Sequence, residues 1–424
     1  MEFIQKHRKD IYQLLLVYAI FAMARLLFIV FMPHAYSKDL YSWLRVIDIL
    51  KNEGDPYSTT DVLNWPPFWM QILYGVHEIS KYTTVSPTRI IQLVLIGGEA
   101  ISILPCYIIM RKFFNIENPA KLLILGFALD PVCILLSCQH CNFDVFVGFW
   151  VLIFVASLLL YYRAHDVVYW LMACFFLGLG ILTKTVPVIL SPLLFMGIRK
   201  QKASTIIFGM LLLLTPVAIG MSIIFSLGHT GVMNNVIAYR SMSGWYGVTG
   251  ILGAVKKYDL IEVYRKLSPV VILCIMLYLS RRSYLTDRLQ PPKLIAVVLL
   301  LLISLPTFGP GYSPPYISWY LPLIIILYGI SAHGMRIFLL AGYIIVAITY
   351  IIEYAFFDSH GAFLVKLFPS GKMTAWSNML GAANMQVLIR LPMFAFYIGL
   401  CAFLVKVLVT PGRSKQLNVT DHPR

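Results

Sequence analysis

The feature that most constrains this chain is a succession of long apolar runs, the first from about Ile11 to Met32. A run of that length can cross the roughly 30 Å hydrocarbon layer of a bilayer as one helix. It exceeds the apolar region of a signal peptide and no small-x-small cleavage site follows, so it is expected to remain as a span. Lys6, Arg8 and Lys9 precede it, which sets the N-terminus in the cytosol and the loop that follows on the extracytoplasmic side. Charged residues make up 12% of the 424 and hydrophobic ones 59%. Soluble domains carry about 25% charged residues, so an all-α polytopic membrane protein is implied.

Continuing along the chain, apolar stretches near 89–110, 121–138, 143–162, 168–182, 185–198, 203–227, 268–280, 292–308, 317–332, 337–356 and 387–409 bring the expected total to about twelve spans. The inner loops then hold Arg111-Lys112, Arg163, Arg199-Lys200 and Arg336, whereas Lys256, Lys257, Arg265 and Lys266 fall outside and break the pattern. Nothing between the runs is long enough for a separate soluble core. Residues 1–409 are therefore expected to form one integral-membrane domain, and 410–424 a disordered cytosolic tail. The net charge of +15 sits in short clusters between apolar runs, a topology signal that calls for no nucleic acid. Seven cysteines lie mostly within apolar runs; Cys138 and Cys141 form a C-x-x-C without evident metal or redox partners.

The first outer loop, residues 33–88, is unlike the rest. Asp39, Asp48, Glu53, Asp55 and Asp61 supply five of the chain's 19 acidic residues within Lys38–Pro67. Leu40, Leu44, Ile47 and Leu50 share a face at helical spacing, and such a helix is expected to lie on the bilayer with that face down. Pro66-Pro67 then opens a segment too short and too polar to span, so a second surface helix is expected there.

Arg25 and Glu99 fall at similar depth in the first two spans and are expected to pair. Asp130 in ALDPV and Lys184 in TKTVP are expected toward the outer ends of proline-interrupted helices, where ligand cavities form. His140 and Asp144, four apart in SCQHCNFD, would share a face if the helix continues. Two further outer segments combine cations or aromatics with glycine and proline: GHTGVMNNVIAYRSMSGWYGVTG, with Arg240, and FGPGYSPPYISWYLP, with Tyr312, Tyr316 and Trp319. Membrane-edge aromatics form interfacial belts, but such segments also suit sugar stacking and phosphate binding. An outer carboxylate could take a proton from an acceptor hydroxyl, and Arg or Lys could stabilise a phosphate leaving group. No nucleotide-binding glycine loop or metal-ligand cluster competes.

These segments resemble the GT-C superfamily of integral-membrane glycosyltransferases, which use polyprenyl-phosphate sugars, and most closely its bacterial and archaeal mannosyl- and hexosyltransferases. Asp39 follows the first span in the position of the family's catalytic acid. GDPYSTTDVLNWPP is similar to an "NPY … YPP" loop ending, with Trp65 for Tyr. LDPVCILLSCQHCNFDVFVGFWVL resembles "NP … S … HGQFD", with Asp130 for Asn and Cys141-Asn142 for Gly-Gln. ILTKTVPVILSPLL and GPGYSPPYISWYLP resemble later Lys-x-x-Pro and Gly-Pro-x-Tyr segments. The resemblance implies a GT-C-like bundle whose first outer loop carries two surface helices. It also implies inverting transfer of a hexose from a polyprenyl-phosphate-linked donor to a lipid-linked or glycan acceptor, on the extracytoplasmic face. Asp39 would be the base; Arg240, Lys184 or His140 would hold the phosphate. Asp144, Tyr312, Tyr316, Trp319 and Trp65 would line the substrate site. No cofactor is implied, and because Asp39 lacks an adjacent second carboxylate, no metal is expected. A bacterial or archaeal cell membrane is favoured over the endoplasmic reticulum. Two other readings fit the composition: a lipid or sugar transporter or flippase, though no two similar halves are visible, and a non-catalytic subunit of an envelope complex.

Overall fold

The computed structural model describes residues 2–409 except 33, 36, 197, 199–200, 238–246, 286–288, 312, 357–362 and 382. Its architecture is helical throughout, without a β-sheet among the described residues. In chain order the helices that matter below begin with α1 (Glu2–Phe31), α2 (Lys38–Lys51), α3 (Pro56–Thr59), α4 (Pro67–Tyr82) and α5 (Pro87–Phe113). Next come α6 (Pro119–Ala128), α7 (Pro131–His140), α8 (Asp144–Ala164), α9 (Val167–Thr183), α10 (Ala203–Val232) and α11 (Tyr258–Leu285). The last four are α12 (Pro291–Phe308), α13 (Leu321–Ile330), α14 (His333–Phe356) and α15 (Ala383–Val409).

Among the described residues seven helices (α1, α5, α8, α10, α12, α14 and α15) are long and apolar enough to cross a membrane, and the pair α6–α7, bent by 48°, makes up to eight. The protein is thus a multi-pass helical membrane protein. The remaining expected spans coincide with shorter or more polar helix. α13 and the 3-10 segment Val186–Phe195 have ten residues each, α9 has 17, and α11 carries charges near both ends. At 1.5 Å per residue a ten-residue α-helix covers only about 15 Å, half the hydrocarbon thickness.

Local sequence explains the breaks. Ser37, Asp55, Ser86 and Asp130 each accept a backbone N–H at the start of the helix they precede, and at three of them proline follows. A short polar cap plus proline at the first helical position, where its missing N–H costs nothing, starts a helix cleanly.

Asp130 lies at the break between α6 and α7, which meet at 48°. There it caps α7 through Val132 and Cys133 and accepts the Tyr343 hydroxyl.

Two apolar clusters form the interior, a large one among the spans and a smaller one under the first loop. The second corrects the surface-helix picture. α2 buries Leu40, Trp43, Val46 and Ile47 in a protein cluster, with Trp43 edge-on to Trp69 and Phe143 at 5.5 and 5.7 Å, rather than presenting them to lipid. The Trp43 indole N–H donates to the Cys141 carbonyl at 2.9 Å. Hydrocarbon would leave that donor unsatisfied, so the protein face wins.

α10 clamps the same loop from the other side. Its close approach depends on Gly231, where a Cβ would fall 2.0 Å from the Tyr57 carbonyl oxygen. Asn235 then donates to the carbonyls of Tyr57 and Thr60.

Arg25 and Glu99 do pair. The guanidinium meets both carboxylate oxygens at 3.0 and 2.9 Å and also donates to the carbonyls of Ala128 and Phe127. Those two carbonyls end α6, so the pair fastens the bent span to α1 and α5. A second buried pair, Glu353 with Arg390 at 2.7 Å, joins α14 to α15 and had no signal in the periodicity.

Candidate active site

The site is built where α2 meets the junction between α7 and α8. α7 ends at His140, and Cys141 takes left-handed backbone angles (φ 57°, ψ 45°). A non-glycine residue there costs roughly 1–2 kcal/mol, and it ends the helix. The helix does not continue from His140 to Asp144, so the condition for a shared face is not met. The residues between them turn the chain instead.

That turn sends the two side chains to different partners. His140 Nε2 lies 3.1 Å from Asp39 Oδ2, and its Nδ1 is 3.2 Å from the Tyr350 hydroxyl. Asp144 takes Lys184 Nζ on both oxygens, at 2.7 and 3.0 Å. Asn142 bridges them: its amide N–H donates to Asp39 Oδ2 at 2.7 Å, and its carbonyl accepts the Asp144 backbone N–H at 2.8 Å.

Asp39 sits in the first turn of α2, where the helix dipole favours a negative charge. Ser37 caps that helix while its hydroxyl donates to the His140 carbonyl at 2.5 Å, fixing the two ends together. Burial pushes the Asp39 carboxyl up. The His140 ring, by charge and hydrogen bond, then the Asn142 amide and the Lys184 charge outweigh it and hold the group below its usual value. Asp39 keeps 26% of its side chain exposed, and both of its described bonds fall on Oδ2. Oδ1 takes no hydrogen bond from the described residues.

Lys184, at the end of α9, stands among four rings: Tyr316, Trp319, Phe143 and Trp65 lie 4.4, 5.0, 5.6 and 6.0 Å from its ammonium. Tyr316 and Trp319 stack on each other at 4.0 Å. Their 3-10 segment reaches α8 because position 148 is glycine; a Cβ there would sit 2.4 Å from the Ser318 carbonyl oxygen. Trp65 packs edge-on against Trp43 and Phe143, which joins the box to the first loop.

A cavity of about 840 Å³ opens beside this box, lined by Trp65, Lys184, Tyr316 and Trp319 on one wall and by Arg265 and Lys266 on another. Val217, Met221 and Leu305 supply apolar surface. Arg265 bonds Glu262 at 2.6 Å, and its buried Nε has no partner among the described residues. Asp39 does not line the cavity; it is coupled to it through Lys184, whose charge reaches it.

Seven of the nine residues singled out from sequence thus converge: Asp39, His140, Asp144, Lys184, Tyr316, Trp319 and Trp65. Arg240 and Tyr312 lie outside the described residues. Sequence reasoning missed Asn142, Tyr350, Arg265 and Lys266 as site groups. The last two were visible only as cations on the wrong side of the charge pattern. No group of three or more His, Cys, Asp or Glu side chains among the described residues is placed to hold one metal ion. The cysteines near the site, Cys138 and Cys141, are buried and unbonded to each other. No family model and no curated protein matches the chain.

Proposed function

We propose that this protein is an inverting membrane glycosyltransferase of the GT-C type. It moves a hexose, mannose or a similar sugar, from a polyprenyl-phosphate donor to a hydroxyl of a lipid-linked or glycan acceptor on the extracytoplasmic face. The observation that carries the reading is the Asp39 carboxylate. It is half-secured by His140 and Asn142 with one oxygen unbonded among the described residues, and it is coupled through Lys184 to a cation-lined aromatic cavity. In this reading Arg265, Lys266 and Lys184 receive the donor phosphate, and Trp65, Tyr316 and Trp319 receive the sugar and the first part of the lipid.

The acceptor hydroxyl attacks the anomeric carbon from the side opposite the phosphate. Its proton passes to Asp39 Oδ1, the new C–O bond forms, and the bonding electrons of the old one leave with polyprenyl phosphate. A carboxylate held below its usual pKa is a weak base, so the proton moves late, as the attacking oxygen becomes acidic. What the depression secures is a fully charged group at neutral pH.

The test is transfer by the purified protein, with polyprenyl-phosphate hexose as donor and a lipid-linked alcohol as acceptor. Asp39→Asn should cost about two to four orders of magnitude in kcat while expression and donor binding persist. Wild-type transfer by that variant would sink the mechanism. A scaffold subunit would tolerate the change with its complex intact.

A further inference from the structure

Asp39 and Tyr350 approach His140 from opposite sides of the ring. Resting on the transferase reading above, we propose that Tyr350 is a positioning residue that keeps His140 donating to Asp39 whatever the charge on the imidazole. That donation reserves Oδ1 for the incoming proton.

An ionised carboxylate only accepts, so the 3.1 Å contact at Oδ2 requires a proton on Nε2. A neutral imidazole then has a lone pair on Nδ1, and an imidazolium has a second N–H there. Tyr350 faces that atom at 3.2 Å. A tyrosine hydroxyl can donate to the lone pair or accept from the N–H, so it satisfies both forms without moving the ring. His140 is 4% exposed and Tyr350 1%, so water cannot readily take over that role. The Tyr354 ring, with its centroid 4.0 Å from that of His140, holds the imidazole plane.

The titratable groups packed on His140 are therefore Asp39 from α2 and Tyr350 and Tyr354 from α14. Asn142 and Cys141 follow it in its own turn, and Lys184 acts at one remove through Asp39. Sequence periodicity offered nothing here, because Tyr350 reads as one more aromatic in an apolar run.

Removing the hydroxyl separates this role from packing. In Tyr350→Phe the Asp39 carboxylate still calls for a proton on Nε2, but Nδ1 is left buried without its partner and that edge of the ring is no longer anchored toward Oδ2. The variant should therefore lose about tenfold in kcat. Donor KM should stay within about twofold. His140→Gln, which offers an uncharged permanent donor, should retain about a tenth or more of kcat, and His140→Leu should retain about a hundredth or less.

Ring-¹⁵N-histidine NMR, with the His140 signal identified by its loss in His140→Gln, gives an arm independent of turnover. The wild-type protein should show a hydrogen-bonded proton on Nε2, and in Tyr350→Phe its resonance should move toward that of a more weakly bonded N–H. An unchanged spectrum in Tyr350→Phe, or a folded His140→Gln as inactive as His140→Leu, overturns the proposal. If Asp39→Asn stays active, the transferase reading fails instead, while the NMR arm still decides the role of Tyr350.

Discussion

Asp144 grips Lys184 through both carboxylate oxygens, at 2.7 and 3.0 Å, with Asp144 fully buried and Lys184 nearly so. Breaking a buried pair by removing one partner leaves the other charge stranded, typically at about 3–5 kcal/mol. Asp144→Ala should therefore lower the thermal midpoint sharply in detergent, followed by loss of the monodisperse size-exclusion peak. The double variant Asp144→Leu/Lys184→Met, apolar at both positions, should recover much of that stability and yet bind a polyprenyl-phosphate donor poorly. Recovery of both would mean the pair serves only the fold.

The approach of Gly148 to Ser318 sets how the aromatic pair meets Lys184. A methyl group at position 148 would lie 2.4 Å from a backbone oxygen, which cannot swing aside as a flexible side chain can. Gly148→Ala should displace the Tyr316–Trp319 segment and destabilise the protein by about 1–3 kcal/mol. Gly75, where an added methyl would meet nothing within 4 Å, is the matched control. Thermal midpoints and tryptophan emission of Gly148→Ala and Gly75→Ala should differ accordingly, and equal shifts would show that the segment is free to move.

Much of this layout was legible beforehand because membrane insertion simplifies the code. Apolar length marked the long helices, Pro66-Pro67 marked the start of α4, and the rarity of charge at depth singled out Arg25 and Glu99. What could not be read was the direction in which a face packs. The apolar stripe of α2 is equally suited to lipid and to protein, and only the Trp43 N–H needing the Cys141 carbonyl decides between them. Backbone reversals were equally hidden. A left-handed Cys141 has no signature in periodicity, so whether the helix continues from His140 to Asp144 could not be read from the sequence. Arg265 reached the cavity unnoticed because its position along α11 says nothing of the tertiary neighbours that enclose it.

Arg265 gives a cleaner functional test than Lys184, because it has an exposed partner and a smaller structural share. It bonds Glu262, which is 61% exposed, and lines the cavity with Lys266. An exposed ion pair of this kind is worth about 0–1 kcal/mol, so Arg265→Ala should hardly change the thermal midpoint. If the cavity receives a phosphate, the same change removes a charge-assisted contact worth about 1.5–3 kcal/mol and should raise donor KM by about ten- to a hundredfold. Kinetics with a donor whose phosphate charge is masked by a further ester would lose that sensitivity. An unchanged donor KM in Arg265→Ala would remove it from the phosphate site.

The last prediction concerns the pH at which Asp39 discharges. Burial raises its pKa, but the His140 ring and then the Asn142 amide bring it below the ordinary 3.8. For an acid whose folded pKa is depressed, the stabilisation is complete above the unfolded value and is lost as pH falls through the folded one. The carboxylate therefore stays charged through the physiological range, and an acid limb in kcat/KM that belongs to Asp39 should lie below about pH 4. Asn142→Ala deletes one of the two bonds to Oδ2 while leaving His140 in place. The folded pKa then moves up, and both the acid limb and the acid-unfolding midpoint should shift to higher pH. Asn142→Asp would place a second carboxylate 2.7 Å from the first, where the amide now donates, and should shift them further in the same direction. A limb that stays where it was in both variants would assign it to a group other than Asp39.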